Sequence, residues 1–268
     1  MDIDKFAAKR NYLIKNVSYL SGRIVEYDIK AANISILHQA GAISDEYYQL
    51  LQSIPKISRE IAIGNLIKED NEADINKVGY QKIISDGIAQ AKIQLFKSNN
   101  INPDNVVRIA NDAVYINSSL DLKYTKFGDI EFRPKGIYTS MLILANGQFI
   151  IFMWRDINGI NIDVKGLGDD NYEDHQSMLS IIVHVMYLLE SNSYEQALIY
   201  LRDFYLDYIN LKLDVSYYRS LIYNGYLTAN REFLFRDIKI DDISQFDIND
   251  NLFIIRELYS IVLGMQQR

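Results

Sequence analysis

Between Arg23 and Ala40 the apolar pattern of the chain changes period, and no other stretch constrains the fold as much. Ile24, Val25 and Ile29 around Tyr27 read as a short buried strand that ends in the carboxylate of Asp28. From Ala31 the spacing turns helical, with Ala31, Ile34 and Leu37 on one face. An aspartate where a strand gives way to a helix either holds a divalent cation over a sheet edge or caps the helix that follows. A second carboxylate bears on that choice. Val106 to Ala110 and Ala113 to Ile116 are two β-rich runs separated by Asn111-Asp112. Asn and Asp tolerate the positive φ of a two-residue hairpin turn, so Asp112 is expected at a hairpin tip, projecting from the end of a sheet.

The chain has 268 residues, enough for a sizeable core and for one or two domains. Hydrophobic residues make up 49% and charged residues 24%, which argues against disorder. Without cysteine, disulfides, thiolate nucleophiles and zinc-thiolate sites are excluded, and the composition fits a reducing cytoplasm. Met1-Asp2-Ile3-Asp4 opens the chain with acid, not with a signal-peptide core, and no apolar run reaches membrane-spanning length. The net charge of -7 argues against a protein that coats nucleic acid. It is compatible with an enzyme whose groove is locally basic.

In chain order, residues 3 to 20 read as a helix with Phe6, Leu13, Ile14, Val17 and Leu20 on its apolar side. Ser44 with Asp45 and Glu46 starts a short helix that ends before Pro55. Lys56 to Lys68 reads as helical, with Lys56 and Arg59 on one face. Glu69 to Asp74 is an acidic break, and a long helix runs from about Asn76 to Ser98. Beyond the Asn111-Asp112 turn, Lys123, Lys126, Arg133, Lys135 and Lys165 form a region where cations outnumber nearby acids. Asn146-Gly147 marks a second hairpin. From Asn171 the pattern is mostly helical, with a capping box at Ser193 to Gln196 and a run of aromatic side chains from Tyr200 to Tyr218. His38, His175 and His184 lack metal-ligand spacing.

Two segments resemble the signature motifs of family B DNA polymerases. Asp28-Ile29-Lys30-Ala31-Ala32-Asn33-Ile34-Ser35-Ile36 is similar to motif A, and Ala110-Asn111-Asp112-Ala113-Val114-Tyr115-Ile116 looks like motif C. The latter also resembles the shorter His-Asp-Glu motif of family A. Phe132 to Tyr138 and Ile162 to Leu167 are similar to that family's Lys-x-Tyr element and its Lys-Gly strand. The resemblance implies an α+β fold: a polymerase palm-like antiparallel sheet backed by helices, a small helical fingers insertion and a mostly helical C-terminal thumb. It places the palm in 1–42 and 75–132, reduced fingers-like helices in 43–74, a β palm-thumb connection in 133–170 and the thumb in 171–268.

The implied activity is template-dependent nucleotidyl transfer by a minimal, phage-type DNA polymerase acting in an infected host. Asp28 and Asp112 would bind Mg²⁺ (or Mn²⁺) and be catalytic. Lys56, Arg59, Lys68 and Asn33 would contact the nucleoside triphosphate, and Lys135, Tyr138 and Lys165 the primer-template nucleic acid. Glu131 and Asp129 are nearby candidates for a third acidic ligand. Where family B places a tyrosine against the ribose 2′ position, this chain has Asn33. Another polymerase or replication subunit is a further expected partner; a membrane is not. Two alternatives stand beside this reading: a catalytically inactive palm-like structural or replication-complex subunit, and a metal-dependent nuclease or other phosphotransferase.

Overall fold

The computed structural model describes residues 2–72, 77–166, 176–218, 220–223, 226–229, 240–243 and 245–267. Asp74, Asn76, Leu167, Asn171 and His175, all named above, lie outside them. The fold is α+β, with an antiparallel eight-stranded sheet, a separate two-stranded hairpin and eight α-helices among the described residues. Two compact units account for it, Met1–Lys15 with Arg23–Ile137, and Asn16–Gly22 with Tyr138–Arg268.

The first unit begins with α1 (Ile3–Ala7) and the short β1 (Asn11–Leu13), which pairs with β3 (Val106–Ala110). β3 forms a hairpin with β4 (Ala113–Asn117), and β4 pairs with β2 (Tyr19–Ile29). Side chains alternate across β2. Val25, Tyr27 and Ile29 enter a core made with α2 (Ala32–Gln39), α3 (Asp45–Ser53) and α5 (Tyr80–Asn99). Ile24, Glu26 and Asp28 therefore take the opposite face. α2 and α5 approach so closely that a Cβ on Gly87 would lie 2.2 Å from Ile36 Cγ2, so a larger residue there would have to displace the Ile36 side chain. Between α3 and α5 runs α4 (Lys56–Glu72), and β5 (Lys126–Phe127) pairs with the start of β6 (Ile130–Leu144).

In the second unit the end of β6 pairs with β7 (Phe149–Asp156), and β7 with β8 (Gly159–Lys165). Leu142, Leu144, Ile151 and Met153 pack with α6 (Gln176–Glu190), α7 (Tyr194–Ile209) and α8 (Gln245–Gln266). β9 (Ser220–Tyr223) and β10 (Tyr226–Ala229) form the two-stranded hairpin. The aromatic run of this half is mostly core: Tyr208 and Tyr218 stack with ring centroids 4.5 Å apart, both fully buried.

Several expectations are corrected. The N-terminal helix is only Ile3–Ala7, because Asn11 to Leu13 pair with the β3 edge and β2 already begins at Tyr19. Asp28 lies inside β2 and does not cap α2, whose N-cap is Ala31 at φ 49. The acidic break is helical as far as Glu72. Asp70 within it is buried and accepts the backbone amides of Val78 (2.5 Å) and Gly79 (2.9 Å), tying down the start of α5. The Ser193 hydroxyl does not cap α7 and donates instead to the Ser191 carbonyl at 3.4 Å. By contrast, Ser44 caps α3 by accepting Tyr47 N at 3.2 Å. Among the described residues, no helix is long and apolar enough to cross a membrane.

His38, at the end of α2, joins three elements of the first unit. Its Nε2 lies 2.8 Å from Asp45 of α3, its Nδ1 lies 2.8 Å from Asp129 in the β5–β6 turn, and its ring stacks on Tyr48 at 4.0 Å. The hydrogen bond to Asp45 is the largest influence and raises the imidazolium pKa above 6.5; burial opposes it and Asp129 adds to it. The folded chain thus holds this proton more tightly than the unfolded one. The resulting stability is complete below about pH 6.5 and is lost as pH rises through the higher folded-state value. Thermal unfolding of wild type beside His38→Gln should show a wild-type advantage at pH 6 that shrinks by pH 9. An advantage of equal size at both pH values would exclude an ionic clasp.

Candidate active site

The β2–β4 register sets the site. Asp28 stands directly opposite Ala113, next to the hairpin tip that carries Asp112. That tip turns at Asn111, whose φ of 54 is left-handed, as expected for an Asn in a tight hairpin. Burial, and after it the negative charge of Asp28, push the Asp112 carboxyl above its ordinary range; Lys135 and Lys92 pull the other way.

Lys135 supplies the nearest counter-charge. On β6, Ile130 and Phe132 enter the helical core, so the alternate residues Glu131, Arg133 and Lys135 take the other face. The Lys135 ammonium lies 3.3 Å from Asp28 and 3.5 Å from Glu26, a carboxylate only 2% exposed. Burial draws the Lys135 pKa down, but Glu26 and Asp28 together outweigh it and leave it raised. The lysine is therefore charged at neutral pH.

Above these groups opens a cavity of about 540 Å³. Asp28, Asp112 and Lys135 line one side; Lys56, Arg59 and Glu60 of α4 line another, with Asn33 and Arg133 between. Arg59 Nε is buried and has no hydrogen-bond partner among the described residues. Asn33 Nδ2 donates to Glu60 Oε2 at 3.0 Å, tying α2 to α4. Of the residues singled out from sequence, Asp28, Asp112, Asn33, Lys56, Arg59 and Lys135 thus share one cavity. Lys68 is not among its lining residues and pairs along its own helix with Glu72 at 3.9 Å. Tyr138 and Lys165 belong to the second unit and meet at Asp163, the Tyr138 hydroxyl at 3.1 Å and the Lys165 ammonium at 2.7 Å. The Tyr138 ring is buried against Phe152 and Trp154.

Sequence reasoning missed Glu26, Glu60 and the buried Lys92. The two nearby acids it offered as a third ligand are engaged elsewhere: Asp129 with His38, and Glu131 as acceptor from Arg133 at 2.9 Å. Among the described residues, no three acidic or histidine side chains converge as a ready-made metal cluster. Paired carboxylates that repel each other still fit a hard cation, since Mg²⁺ commonly takes one or two carboxylates and completes its shell with water and substrate phosphate.

The family model described as Bacteriophage PBS1 gene 130 protein matches residues 1–264 of the chain. No curated protein matches it.

Ionising Asp112 costs the folded state free energy, because its pKa is raised there. Asp112→Asn should consequently unfold at a higher temperature than wild type at pH 7. The difference is complete above the folded-state pKa and disappears below the ordinary value of 3.8. A lower midpoint for the variant at pH 7 would show that the carboxylate is a net stabiliser.

Proposed function

We propose that this chain, which belongs to the Bacteriophage PBS1 gene 130 protein family, is a palm-like, template-dependent nucleotidyltransferase of the family B DNA polymerase type. One observation carries the reading. Two aspartates from separate segments share a cavity with Lys56 and Arg59 of α4. That is the arrangement needed to bring a triphosphate to a primer hydroxyl.

Asp28 and Asp112 are the residues that would hold Mg²⁺ (or Mn²⁺), which when bound supplies Lewis-acid activation of the hydroxyl and neutralises the leaving pyrophosphate. The chain's own groups do the rest. Arg59, whose Nε has no partner among the described residues, and Lys56 bind phosphate oxygens. Lys135 pairs with both Glu26 and Asp28 and holds them in place. Asn33 and Glu60 present an amide and a carboxylate at the cavity wall, where a sugar hydroxyl finds both a donor and an acceptor. The expected partners are primer-template nucleic acid, nucleoside triphosphates and another replication subunit. A second reading, an inactive palm-like subunit, draws on the same lysine: Lys135 already pairs with Asp28, one of the two aspartates.

Primer extension with purified protein separates the two. Asp28→Asn and Asp112→Asn should each lower incorporation by about a thousandfold while the chain stays folded. Arg59→Ala should raise KM for the triphosphate about tenfold with little effect on duplex affinity. No synthesis by wild type would favour the inactive subunit, and metal-dependent degradation without synthesis would point to a nuclease.

Sugar choice provides a separate test. An asparagine where family B has a bulky tyrosine offers no clash to a 2′-hydroxyl, and a site that merely lacks a clash discriminates weakly. Competition between matched ribo- and deoxynucleotides should show weak preference in wild type and a sharper deoxy preference in Asn33→Tyr. Strong deoxy selection in wild type, unchanged in Asn33→Ala, would remove Asn33 from the sugar site.

A further inference from the structure

α5 turns Ile84, Ile88, Ala91 and Leu95 into the core of the first unit, and Lys92 lies on the same side, one turn beyond Ile88. It is 1% exposed. An ammonium at such a position is costly unless hydrogen-bonded, and a methionine would fill similar volume without that cost. The Lys92 Nζ donates to the Lys9 carbonyl at 2.5 Å and to the Asn111 carbonyl at 2.8 Å. These acceptors come from two segments, the one leading into β1 and the turn between β3 and β4. Asn111 N in turn donates to the Arg10 carbonyl at 2.7 Å. Both backbone polar groups of the left-handed Asn111 are therefore held, one by Arg10 and one by Lys92, and Asp112 follows immediately.

We propose that Lys92 is a positioning residue, a buried clamp that holds the β3–β4 turn against α5 and so aims the Asp112 carboxylate into the cavity beside Asp28. The clamp itself stands on the hydrogen bonds just given; its consequence for cation binding rests on the proposed reading of the carboxylate pair. Two features separate it from ordinary core filling. The ammonium donates to two backbone carbonyls, one from Lys9 ahead of β1 and one from Asn111 in the β3–β4 turn. It thereby joins segments remote in sequence.

Native-state hydrogen exchange and Mn²⁺ binding test the clamp on the full chain. In Lys92→Met, protection of the Asn111 amide should fall at least tenfold, while the Val114 and Ile116 amides in β4 keep theirs. Mn²⁺ affinity should fall about tenfold with it. Asp112→Asn should do the reverse, losing Mn²⁺ while the turn stays protected. Asn111 protection within twofold of wild type in Lys92→Met would overturn the proposal, and so would full Mn²⁺ affinity despite a loosened turn. Should wild type bind no Mn²⁺, the carboxylate-pair reading fails, and turn protection alone decides the role of Lys92. Should Lys92→Met not fold, wild type decides it by NMR. Through-hydrogen-bond couplings from Lys92 Nζ to the Lys9 and Asn111 carbonyl carbons are expected, and absence of both overturns the clamp.

Discussion

The register between β2 and β4 decides where both aspartates stand. Side chains on a strand alternate, so a slip of one residue would carry Glu26 and Asp28 into the helical core and expel Val25, Tyr27 and Ile29. Burial of those three apolar side chains excludes the slip. Each buried aliphatic or aromatic side chain contributes about 2 kcal/mol, whereas burying two unpaired carboxylates costs far more. The position of the candidate chemistry is thus enforced by hydrophobic packing on the opposite face of the same strand. The hairpin tip inherits this precision, because Asp112 is adjacent to the residue paired with Asp28.

Charge is arranged around that register at some expense in stability. Lys135 from β6 pairs with Glu26 and Asp28, while Asp112 feels the charges of Asp28, Lys135 and, from α5, Lys92. The two lysines differ. Lys135 is 59% exposed at its side chain and reaches its partners along a flexible stem. Lys92 is buried, its pKa drawn down to about 8, and it spends its donors on backbone carbonyls. An acidic pair held together by burial, with Asp112 pushed toward neutrality, is poorly explained by stability alone; perturbed carboxylates of this kind cluster at functional sites. Arg59 Nε in the same cavity adds a donor that the described residues leave unsatisfied.

What periodicity could reveal, it revealed. The strand ending near Asp28, the helix after it, the Asn111-Asp112 hairpin and the long α5 are all visible as apolar spacing or turn chemistry. The N-terminus misled because Phe6, Leu13, Val17 and Leu20 fall at helical intervals, whereas the Asn11 to Leu13 backbone is claimed by the β3 edge, a partner remote in sequence. Glu26 and Lys92 were illegible for a related reason. Glu26 lies between Val25 and Tyr27 and reads as the solvated face of a strand; only Lys135 across the sheet shows it to be buried and paired. Lys92 interrupts an apolar stripe and reads as a surface residue slightly out of phase. A charge on a core stripe was the available signal, and its meaning lay in carbonyls contributed from elsewhere in the chain.

The walls of the cavity are not held equally. The carboxylate side belongs to strands whose neighbours are fully buried. α4, which carries Lys56, Arg59 and Glu60, buries Ile63 and Asp70, packs Ala62, Leu66 and Ile67 partly against the core, and leaves Ile57 and Ile61 exposed. Polar ties supplement that packing: Asn33 to Glu60 along its length, and Asp70 to the amides of Val78 and Gly79 at its end. Net hydrogen-bond contributions are about 1 kcal/mol each, well below those of a buried apolar face. Elements with few buried apolar contacts occupy the low end of local stability and open first. α4 is therefore expected to open before the strands that carry Asp28 and Asp112. In the proposed reading, the less tightly packed wall carries the phosphate-binding groups and the better packed one the carboxylates that would hold the metal.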